Sequence, residues 1–487
     1  MVAILGANSV SGGYEIDNSL RFNDGDNAQL DKTFGSAGDL DKSTVSMWIK
    51  ISTLASTPDA ANYPFIARNS SNHEMGIRIR NTDVLQWYYY NGSYTMNLTT
   101  NRVLRDTSAW YHIVAVYDSE NGTNTSRARL YVNGVEETSF SANVYPSQNT
   151  DGILGNDITH SIGGYPASGG QFDGYISEMH YVNGSVKAPT DFGEFDNNGV
   201  WIPKRYSGSY GTNGFYLEFK ETGTGTNASG MGADTSGNTN HFAPVNLAAT
   251  DVTTDTPTNN FMTLNPLAKA SLAGNPSEGN LIHVGQTSGY IQTVLGTLAW
   301  HGSGGKWYWE MEQGGSSAGN YGFVRTDKPD GTNGVGNIVQ TTSSTPSEVI
   351  AYDWGWGVNA SNGNSRHDGS NDSYGSGLGN GDHGMVAVDT VAGKAWWGKN
   401  GTWFNSGNPA TGANPAFTDS DMTEGIFTIY SAVSDTDGRI KRYNFGNPPT
   451  GFAIASGNAD ANGHGNFEYA PPSGYFALCT KNLAESG

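Results

Sequence analysis

Apolar and polar residues alternate in short runs along most of the chain. Between Val45 and Ile51 apolar side chains occupy every second position, and the same period recurs in residues 75–79 and 128–132. A period of two is typical of a β-strand with one buried face. Residues 111–117 are almost all apolar, which predicts a strand covered on both faces. Gly, Asn or Asp interrupts these runs at short intervals, so the pattern predicts antiparallel sandwiches.

Composition strengthens this all-β interpretation. The chain has 487 residues, enough for two or three domains, with 66 Gly, 25 Tyr and only 15% charged residues. Gly, Asn, Ser and Thr are abundant, whereas the Leu, Lys and Glu typical of helical proteins are scarce. Only residues 265–273 have the pattern of a helix, and that helix would be short.

The run from Gly381 to Asn405 alternates short strands and tight turns. Residues 385–389 and 394–399 predict two strands, and Asn400-Gly401 predicts a type I′ hairpin turn, whose central residues both need positive φ. The sequence GDHGMVAVDTVAGKAWWGKNGTW in this run resembles the central strands of a SPRY domain. With similar matches at 306–312, 426–433 and 440–446, the resemblance implies a SPRY-like sandwich over residues 261–487. The long loop at 355–381 and the tail at 471–479 depart from the SPRY pattern.

The first half of the chain contains a second set of matching strands. The runs are WYHIVAVY at 110–117, ARLYVNG at 128–134 and FDGYISEM at 172–179. Together they resemble the signature of laminin-G-like jelly rolls of the concanavalin A type. The resemblance implies a sandwich over residues 19–190.

The remaining segments are poor in core-forming residues. Residues 1–18 are predicted to be an N-terminal arm, free to dock on a partner. Residues 191–260 are predicted to be a connector, and its stretch 222–240 consists almost entirely of Gly, Thr, Asn, Ser and Ala. The predicted fold is therefore all-β: two tandem concanavalin A-like jelly-roll β-sandwiches, laminin-G-like then SPRY-like, joined by a Gly/Asn-rich connector.

The order of these segments resembles virion-associated proteins of marine tailed phages. The stretches GVWIPK at 199–204 and TPTNNF at 256–261 extend this resemblance between the two sandwiches. It implies a non-enzymatic virion protein, for which we expect a tail-fibre or spike adhesin that binds host surface glycan through sandwich loops. A capsid-surface decoration protein is the alternative, and a glycan-degrading enzyme is a third hypothesis.

The net charge and the first residues of the chain limit the partners and the location that we expect. The formal net charge is −20, which disfavours nucleic acid and anionic membrane surfaces as partners. The single cysteine, Cys479, cannot form an intramolecular disulfide. Residues 1–5 are too short for a signal peptide and lack a basic start, so we expect synthesis in the host cytoplasm and location in the virion. We also expect contacts with other virion proteins through the N-terminal arm, and a homo-oligomer.

Aromatic residues supply the candidate ligand-binding sites. Exposed aromatic rings beside Asn or Asp stack on sugars and hydrogen-bond them. The first candidate group is Trp87, Tyr89, Asn91 and Tyr94, which lie in or directly after an aromatic run from 87 to 90. In a strand, this run has either both faces covered or two rings exposed. The second is Trp354 and Trp356, at the start of the long second-domain loop. Core packing is the alternative for both groups.

Clustered oxygen ligands in turns supply the candidate metal sites. Asp24 and Asp26 lie in one such turn and Asp435 and Asp437 in another, while residues 458–463 begin like a calcium-binding loop. A solvated turn is the alternative at each. No cofactor is predicted, and calcium is the one ion that these turns would suit.

Two further motifs resemble catalytic motifs, but each lacks a feature that the catalytic motif needs. Glu310 and Glu312 share one face of a predicted strand, as paired glycosidase carboxylates would. However, the third acidic residue of that pattern is replaced by Gln313-Gly314-Gly315. The G-x-S-x-G match at 315–319 lacks the helix that a nucleophile elbow needs. We therefore predict no catalytic residues.

Overall fold

The computed structural model describes residues 13–54, 62–70, 72–165, 170–270, 273–285, 291–316, 319–327, 354–434 and 438–486. The chain divides between Asn259 and Asn260 into two compact units, which we call the first and second sandwiches. Both are built almost entirely from antiparallel strands, as the alternating pattern predicts.

The first sandwich contains two large sheets and a small hairpin. Its strands are β1 (Ser19–Phe22), β2 (Gln29–Thr33), β3 (Lys42–Ile51), β4 (Asn62–Ser70), β5 (His73–Ile79), β6 (Val84–Asn91), β7 (Tyr94–Val103), β8 (Trp110–Asp118), β9 (Ala128–Val132), β10 (Val135–Glu136), β11 (Phe140–Val144), β12 (Thr159–Ile162), β13 (Gly174–Asn183), β14 (Gly193–Phe195), β15 (Trp201–Pro203), β16 (Phe215–Leu217), β17 (Ala243–Val245) and β18 (Val252–Thr253). Its short 3-10 helices are Asp24–Asp26, Asn81–Asp83, Asn124–Ser126, Pro189–Asp191 and Ala249–Asp251.

Sheet A has the order β10-β9-β8-β3-β13-β1-β18, with β16 also paired to β13. Sheet B has the order β11-β7-β6-β5-β4-β12-β2-β17, and β14 pairs only with β15. The core includes Ile49 and Ile113 of sheet A and Ile77 of sheet B, all fully buried. Trp87 Nε1 donates a hydrogen bond to the Val116 carbonyl oxygen at 3.3 Å, which links the two sheets across this core.

The predicted connector is part of the first sandwich. Strands β16, β17 and β18 extend sheets A and B by pairing with β13, β2 and β1. Even the Gly-rich stretch 222–240 has an organising residue, since Asp234 accepts hydrogen bonds from the backbone N–H groups of Tyr216, Ser236 and Asn240. Composition alone misses such a segment, because hydrogen bonds to one carboxylate and the buried side chain of Met231 attach it to the sandwich.

The predicted N-terminal arm lies partly outside the described residues, which begin at residue 13. The described end of the arm is committed to the first sandwich. Ile16 is buried against Trp48, Trp110 and Trp201, and its backbone exchanges two hydrogen bonds with the Thr258 hydroxyl.

The second sandwich also contains two large sheets. Its strands are β19 (Leu264–Lys269), β20 (Ile282–Val284), β21 (Ile291–Gly296), β22 (Trp300–His301), β23 (Lys306–Gly314), β24 (Asn320–Arg325), β25 (Gly355–Asn359), β26 (Ser365–His367), β27 (Ser370–Asp372), β28 (His383–Asp389), β29 (Lys394–Lys399), β30 (Thr402–Trp403), β31 (Phe417–Thr418), β32 (Ile426–Ser434), β33 (Ile440–Asn444) and β34 (Phe476–Ala477). Its short helices are the 3-10 turns Phe404–Ser406 and Ser420–Thr423 and the α-helix Thr480–Ser486.

Sheet C has the order β19-β21-β32-β24-β25-β26-β27, with β22 also on β32. Sheet D has the order β20-β33-β23-β28-β29-β30, with β31 on β29 and β34 parallel to β23. Both predicted hairpins are confirmed. Strands β28 and β29 pair along their length across the turn at 390–393. Strands β29 and β30 pair across Asn400-Gly401, and both of these residues have positive φ, 47° and 80°.

Two expectations for the second sandwich were wrong. Residues 264–269 form strand β19 instead of a helix, and the α-helix of the described residues lies at 480–486. The loop expected at 355–381 contains strands β25, β26 and β27 at the edge of sheet C. The tail beyond the SPRY pattern adds β34 to sheet D. None of the helices in the described ranges has the length and hydropathy needed to cross a membrane.

Candidate functional site

Strand β6 determines which aromatic residues of the first sandwich are accessible. Successive side chains of a strand point to opposite faces of the sheet. Trp87 and Tyr89 point into the core and are 0% and 5% exposed. The expectation that these two rings contact a ligand is therefore corrected: the predicted strand is right, but the ligand-facing side chains are the alternate ones. Tyr88 and Tyr90 occupy the outer face.

The outer face of sheet B gathers tyrosines with charged and amide side chains. We call this surface the tyrosine face; its members are Tyr63, Arg68, Glu74, Arg78, Gln86, Tyr88, Tyr90, Tyr94, Asn97 and Tyr165. Strand pairing brings them together, because Glu74 lies opposite Tyr90 and Arg78 opposite Gln86. Gly76 lies opposite Tyr88, and a Cβ at Gly76 would come within 2.5 Å of the Phe65 carbonyl oxygen.

Arg78 is the centre of one half of the tyrosine face. Its Nε donates to Gln86 Oε1 at 2.6 Å, Nη1 to the Tyr63 hydroxyl at 2.9 Å and Nη2 to the Tyr94 hydroxyl at 3.1 Å. The guanidinium carbon lies 4.2 Å from the centroid of the Tyr88 ring, a cation–π contact. These contacts fix the guanidinium plane.

Glu74 is the centre of the other half. Its carboxylate accepts hydrogen bonds from the hydroxyls of Tyr88, at 3.0 Å, and Tyr165, at 2.8 Å. Arg68 Nε lies 3.8 Å from Glu74 Oε2, and the Arg68 guanidinium stacks over the Tyr165 ring at 4.4 Å. Burial, with the Glu74 charge, raises the pKa of Tyr88 well above its ordinary value, so its hydroxyl stays protonated and donates.

The tyrosine face is partly open to solvent. Tyr94 is 37% exposed, and Tyr90, Tyr165 and Arg78 are half-buried, whereas Tyr88 is buried beneath them. The rings of Tyr90 and Tyr94 meet edge to face at 5.3 Å. The surface thus presents aromatic ring edges, hydroxyls and a guanidinium in fixed positions, which is the chemistry that recognises a sugar ring.

Of the first predicted group, the structure therefore brings only Tyr94 to this face. Asn91 is exposed in the tight turn that joins β6 to β7, where its backbone N–H bonds to the Ser93 carbonyl oxygen. Sequence reasoning missed Arg78, Glu74 and Tyr88. The signal that could have found them is parity, because the purely apolar residues Met75, Ile77 and Ile79 assign one face of β5 to the core.

The second predicted group is buried and is likewise corrected. Trp354 and Trp356 are 2% and 0% exposed. Trp356 stacks on Phe323 at 5.4 Å and on His367 at 4.9 Å, and its Nε1 donates to Asp419 Oδ2 at 3.1 Å. These tryptophans support the core of the second sandwich, because the segment they begin is a strand instead of a loop.

The structure describes one of the two predicted metal-binding aspartate pairs and not the other. Asp24 and Asp26 lie in an exposed 3-10 turn, where the Asn23 side chain bonds to Gly25 N and Asp26 Oδ2. Asp435 and Asp437 lie outside the described residues. Within the described ranges, no three His, Cys, Asp or Glu side chains come together as a metal site. Calcium binding stays a prediction.

The loop at 458–463 uses its acidic residue for structure. Asp460 Oδ1 accepts hydrogen bonds from the backbone N–H groups of Asn462 and His464. Asp460 Oδ2 accepts from Ala477 N at 2.9 Å and from Asn482 Nδ2 at 2.7 Å. Four donors thus occupy this carboxylate, which holds the loop to the C-terminal helix.

Glu310 is buried and surrounded by donors of its own chain. Oε1 accepts from the Tyr308 hydroxyl and Tyr469 N, and Oε2 accepts from Glu468 N and Asn444 Nδ2, all at 2.7–3.2 Å. Burial raises the pKa of Glu310, although these donors oppose the shift. This arrangement ties the tail to strand β23.

Glu312 is held in a similar way. Arg442 Nη1 lies 2.7 Å from Oε1, while Ala453 N donates to Oε2 and His383 Nε2 lies 3.4 Å from it. Burial alone would raise the pKa of Glu312, but these three groups lower it overall. Ser317, the central residue of the G-x-S-x-G match, lies outside the described residues.

Comparisons with known proteins agree with this architecture. Residues 22–191, about a third of the chain, match the family model of the concanavalin A-like lectin/glucanases superfamily. No curated protein matches the chain.

The solved structures to which the chain is similar include the following three. The SPRY domain of human HERC1 is 18% identical over 39% of this chain and 99% of its own, with a TM-score of 0.26. The PSpry domain of TRIM65 is 14% identical over 38% of this chain and 89% of its own, with a TM-score of 0.28. Domain 4 of AbnA, a GH43 extracellular arabinanase from Geobacillus stearothermophilus solved with arabinotriose, is 20% identical over 31% of this chain and 64% of its own, with a TM-score of 0.24.

The predicted fold class is confirmed by the sheet topology and the family match. The protein is nearly all β, with concanavalin A-like jelly-roll β-sandwiches, and the match to the concanavalin A-like lectin/glucanases superfamily lies within the first of them.

Proposed function

We propose that the protein binds carbohydrate through the tyrosine face of its first sandwich. The single observation that carries this proposal is the convergence of Tyr90, Tyr94 and Tyr165 with Arg78 on the outer face of sheet B, half-buried or exposed. Tyrosine supplies a rigid ring for the apolar side of a sugar and a hydroxyl for its polar rim. Arg78 and Glu74 hold those hydroxyls in place, so little conformational entropy is lost when a sugar binds.

We propose further that this binding serves a virus particle. The order of sequence segments resembles virion-associated proteins of tailed phages, and such a protein that binds glycan would act as a tail-fibre or spike adhesin. Its partners would be host surface glycan and other virion proteins, and it would assemble as a homo-oligomer in the virion.

The proposed function is non-enzymatic. The two carboxylates that a glycosidase would need, Glu310 and Glu312, are occupied by hydrogen-bond donors from their own sandwich. A general acid or nucleophile must instead face the scissile bond of a bound substrate.

Substitution of Tyr94 tests the binding site. We expect Tyr94→Ala to weaken binding to host surface polysaccharide up to about tenfold, because a ring contact of up to about 1.5 kcal/mol is lost. The matched control is Phe195→Ala, which removes an aromatic ring that is 53% exposed elsewhere in the first sandwich. Isothermal titration with purified polysaccharides measures both. Equal affinity of Tyr94→Ala and the unmodified protein would count against the tyrosine face.

Immunogold labelling of intact phage particles tests the location. Labelling at the tail tip or fibres supports the adhesin. Labelling over the capsid surface would favour a decoration protein instead, and absence of the chain from purified particles would contradict the virion proposal.

A further inference from the structure

We infer that the glycan recognised by the tyrosine face carries a carboxylate, and that Arg78 receives it. This inference rests on the proposed glycan binding and names its chemical class: a polysaccharide containing uronic acid or a similar carboxylated sugar.

The first argument is that no carboxylate among the described residues balances the charge of Arg78. Its three side-chain partners are the neutral oxygens of Gln86, Tyr63 and Tyr94. Across the described ranges the arginines that pair with a carboxylate are others, and Arg78 is not among them. By contrast, the neighbouring Arg68 lies 3.8 Å from Glu74. The imbalance is notable in a chain with 46 acidic and 26 basic residues.

The second argument is that Arg78 has donors to spare. A guanidinium carries five N–H groups, and a carboxylate accepts two of them in parallel. Three hydrogen bonds to the protein use one N–H each on Nε, Nη1 and Nη2. Each terminal nitrogen therefore keeps one N–H that has no hydrogen-bond acceptor among the described residues.

The third argument is that the protein holds the guanidinium ready. The Tyr88 ring supports it from below at 4.2 Å, and Tyr63 and Tyr94 fix its two terminal nitrogens from the sides. A half-buried guanidinium has lost part of its hydration. A carboxylate that pairs with it replaces the lost hydration with a charge–charge interaction, which a neutral hydroxyl cannot supply. Selectivity for acid over neutral sugar follows.

Glu74 restricts where the acid can lie. It is four residues from Arg78 on the same strand, which corresponds to roughly 13 Å. Its carboxylate is buried and already accepts from the hydroxyls of Tyr88 and Tyr165, so this end of the face adds negative charge and offers no free cation to a second acidic sugar. The tyrosine face therefore suits an acidic unit at Arg78 and a neutral unit towards Glu74.

The experiment compares ligands that differ only in charge. The full chain is titrated with polygalacturonate, alginate and hyaluronan, each as the free acid and as its methyl ester, and with dextran and dextran sulfate. We expect at least one acid polymer to bind tenfold or more tightly than its own ester, and sodium chloride to weaken that binding.

Variants then assign the preference to Arg78. We expect Arg78→Met to bind acid and ester equally, and Arg78→Lys to keep part of the preference, because lysine retains the charge but not the fork. Arg205→Met, at an exposed arginine outside the tyrosine face, is the matched control and should keep the preference. Melting temperatures of the three variants, compared with that of the unmodified protein, show whether each variant is folded. If a variant fails to fold, the comparison of acid and ester on the unmodified protein still tests the inference.

The possible failures are distinguishable. Binding of acid and ester with equal affinity, lost together in Tyr94→Ala, would overturn the carboxylate inference and leave the proposed function standing. The same holds if only dextran binds, or if dextran sulfate binds as tightly as the best carboxylated polymer. Binding to none of these polymers would count against both.

Discussion

Lys441 is a buried ammonium group in the core of the second sandwich. It is fully buried, and its Nζ donates to the carbonyl oxygens of Asn320, at 3.0 Å, and Ala432, at 2.7 Å. The described residues provide no carboxylate partner for it, and the Tyr321 ring lies 5.8 Å away. Burial lowers the pKa of Lys441 to about 7. Its charge state therefore changes near neutral pH.

This residue gives the second sandwich a distinctive pH dependence. Between pH 7 and about 10 the unfolded chain keeps a proton on Lys441 that the folded chain has released, so stability rises with pH in that window by about 1.4 kcal/mol per pH unit. Urea unfolding at pH 7, 8 and 9 measures this slope and stays below the titration of tyrosine. We expect Lys441→Met to reduce the slope.

Lys306→Met is the control for this prediction. Lys306 is 38% exposed at its side chain and pairs with Asp389 at 2.9 Å, so its removal should leave the slope unchanged. An unaltered slope in Lys441→Met would show that the lysine keeps its proton in the folded state.

At the scale of elements, two carboxylates attach the tail to the second sandwich. Glu310 accepts from the backbone N–H groups of Glu468 and Tyr469, and Asp460 accepts from Ala477 N and the Asn482 side chain. The tail forms short strand β34 with only two residues. Hydrogen bonds to these side chains therefore hold the tail to the sandwich, as backbone hydrogen bonds between strands would do if β34 were longer.

Substitution of Glu310 tests this attachment. A carboxamide has one acceptor oxygen, so Glu310→Gln points an NH2 group at donors that now lack an acceptor. We expect a loss of about 2–4 kcal/mol in the free energy of unfolding, with unchanged glycan binding. Glu424→Gln, at an exposed residue of the same sandwich, is the control. Loss of polysaccharide hydrolysis with full stability would instead indicate a catalytic glutamate.

Individual strands and hairpins also show which features of the fold and the site could be predicted from the sequence. The hairpin at 394–403 was predictable because its Asn400-Gly401 turn and its strand pattern agree. The run from Trp87 to Tyr90 was predictable as a strand but not as a binding surface, because it places aromatic residues on both faces. Which face is buried depends on β5 and β7, which are paired with it in the folded sheet. Arg78 was missed for the same reason, since its partners come from three strands.

At the scale of the whole molecule, each sandwich has a core of its own. The first core extends along the chain from Leu20 to Leu247, and the second from Met262 to Leu478. The first core includes Phe215 and Phe242, both fully buried and both beyond the laminin-G-like segment predicted at 19–190. Their rings meet edge to face at 4.7 Å. The folding unit is therefore longer than the family resemblance.

A comparison of two shortened proteins tests this boundary. We expect residues 13–259 alone to unfold cooperatively and to keep the glycan affinity of the full chain, because sheets A and B are then complete. Residues 19–190 lack β16, β17 and β18, so the backbone groups of β13, β2 and β1 that pair with them are exposed. This shorter protein also lacks Phe215 and Phe242. Loss of even one buried aromatic ring costs about 3–5 kcal/mol, a large part of a domain's stability. We expect this shorter protein to aggregate or melt far earlier, as circular dichroism would record, and equal melting temperatures would show that residues 191–259 are a connector after all.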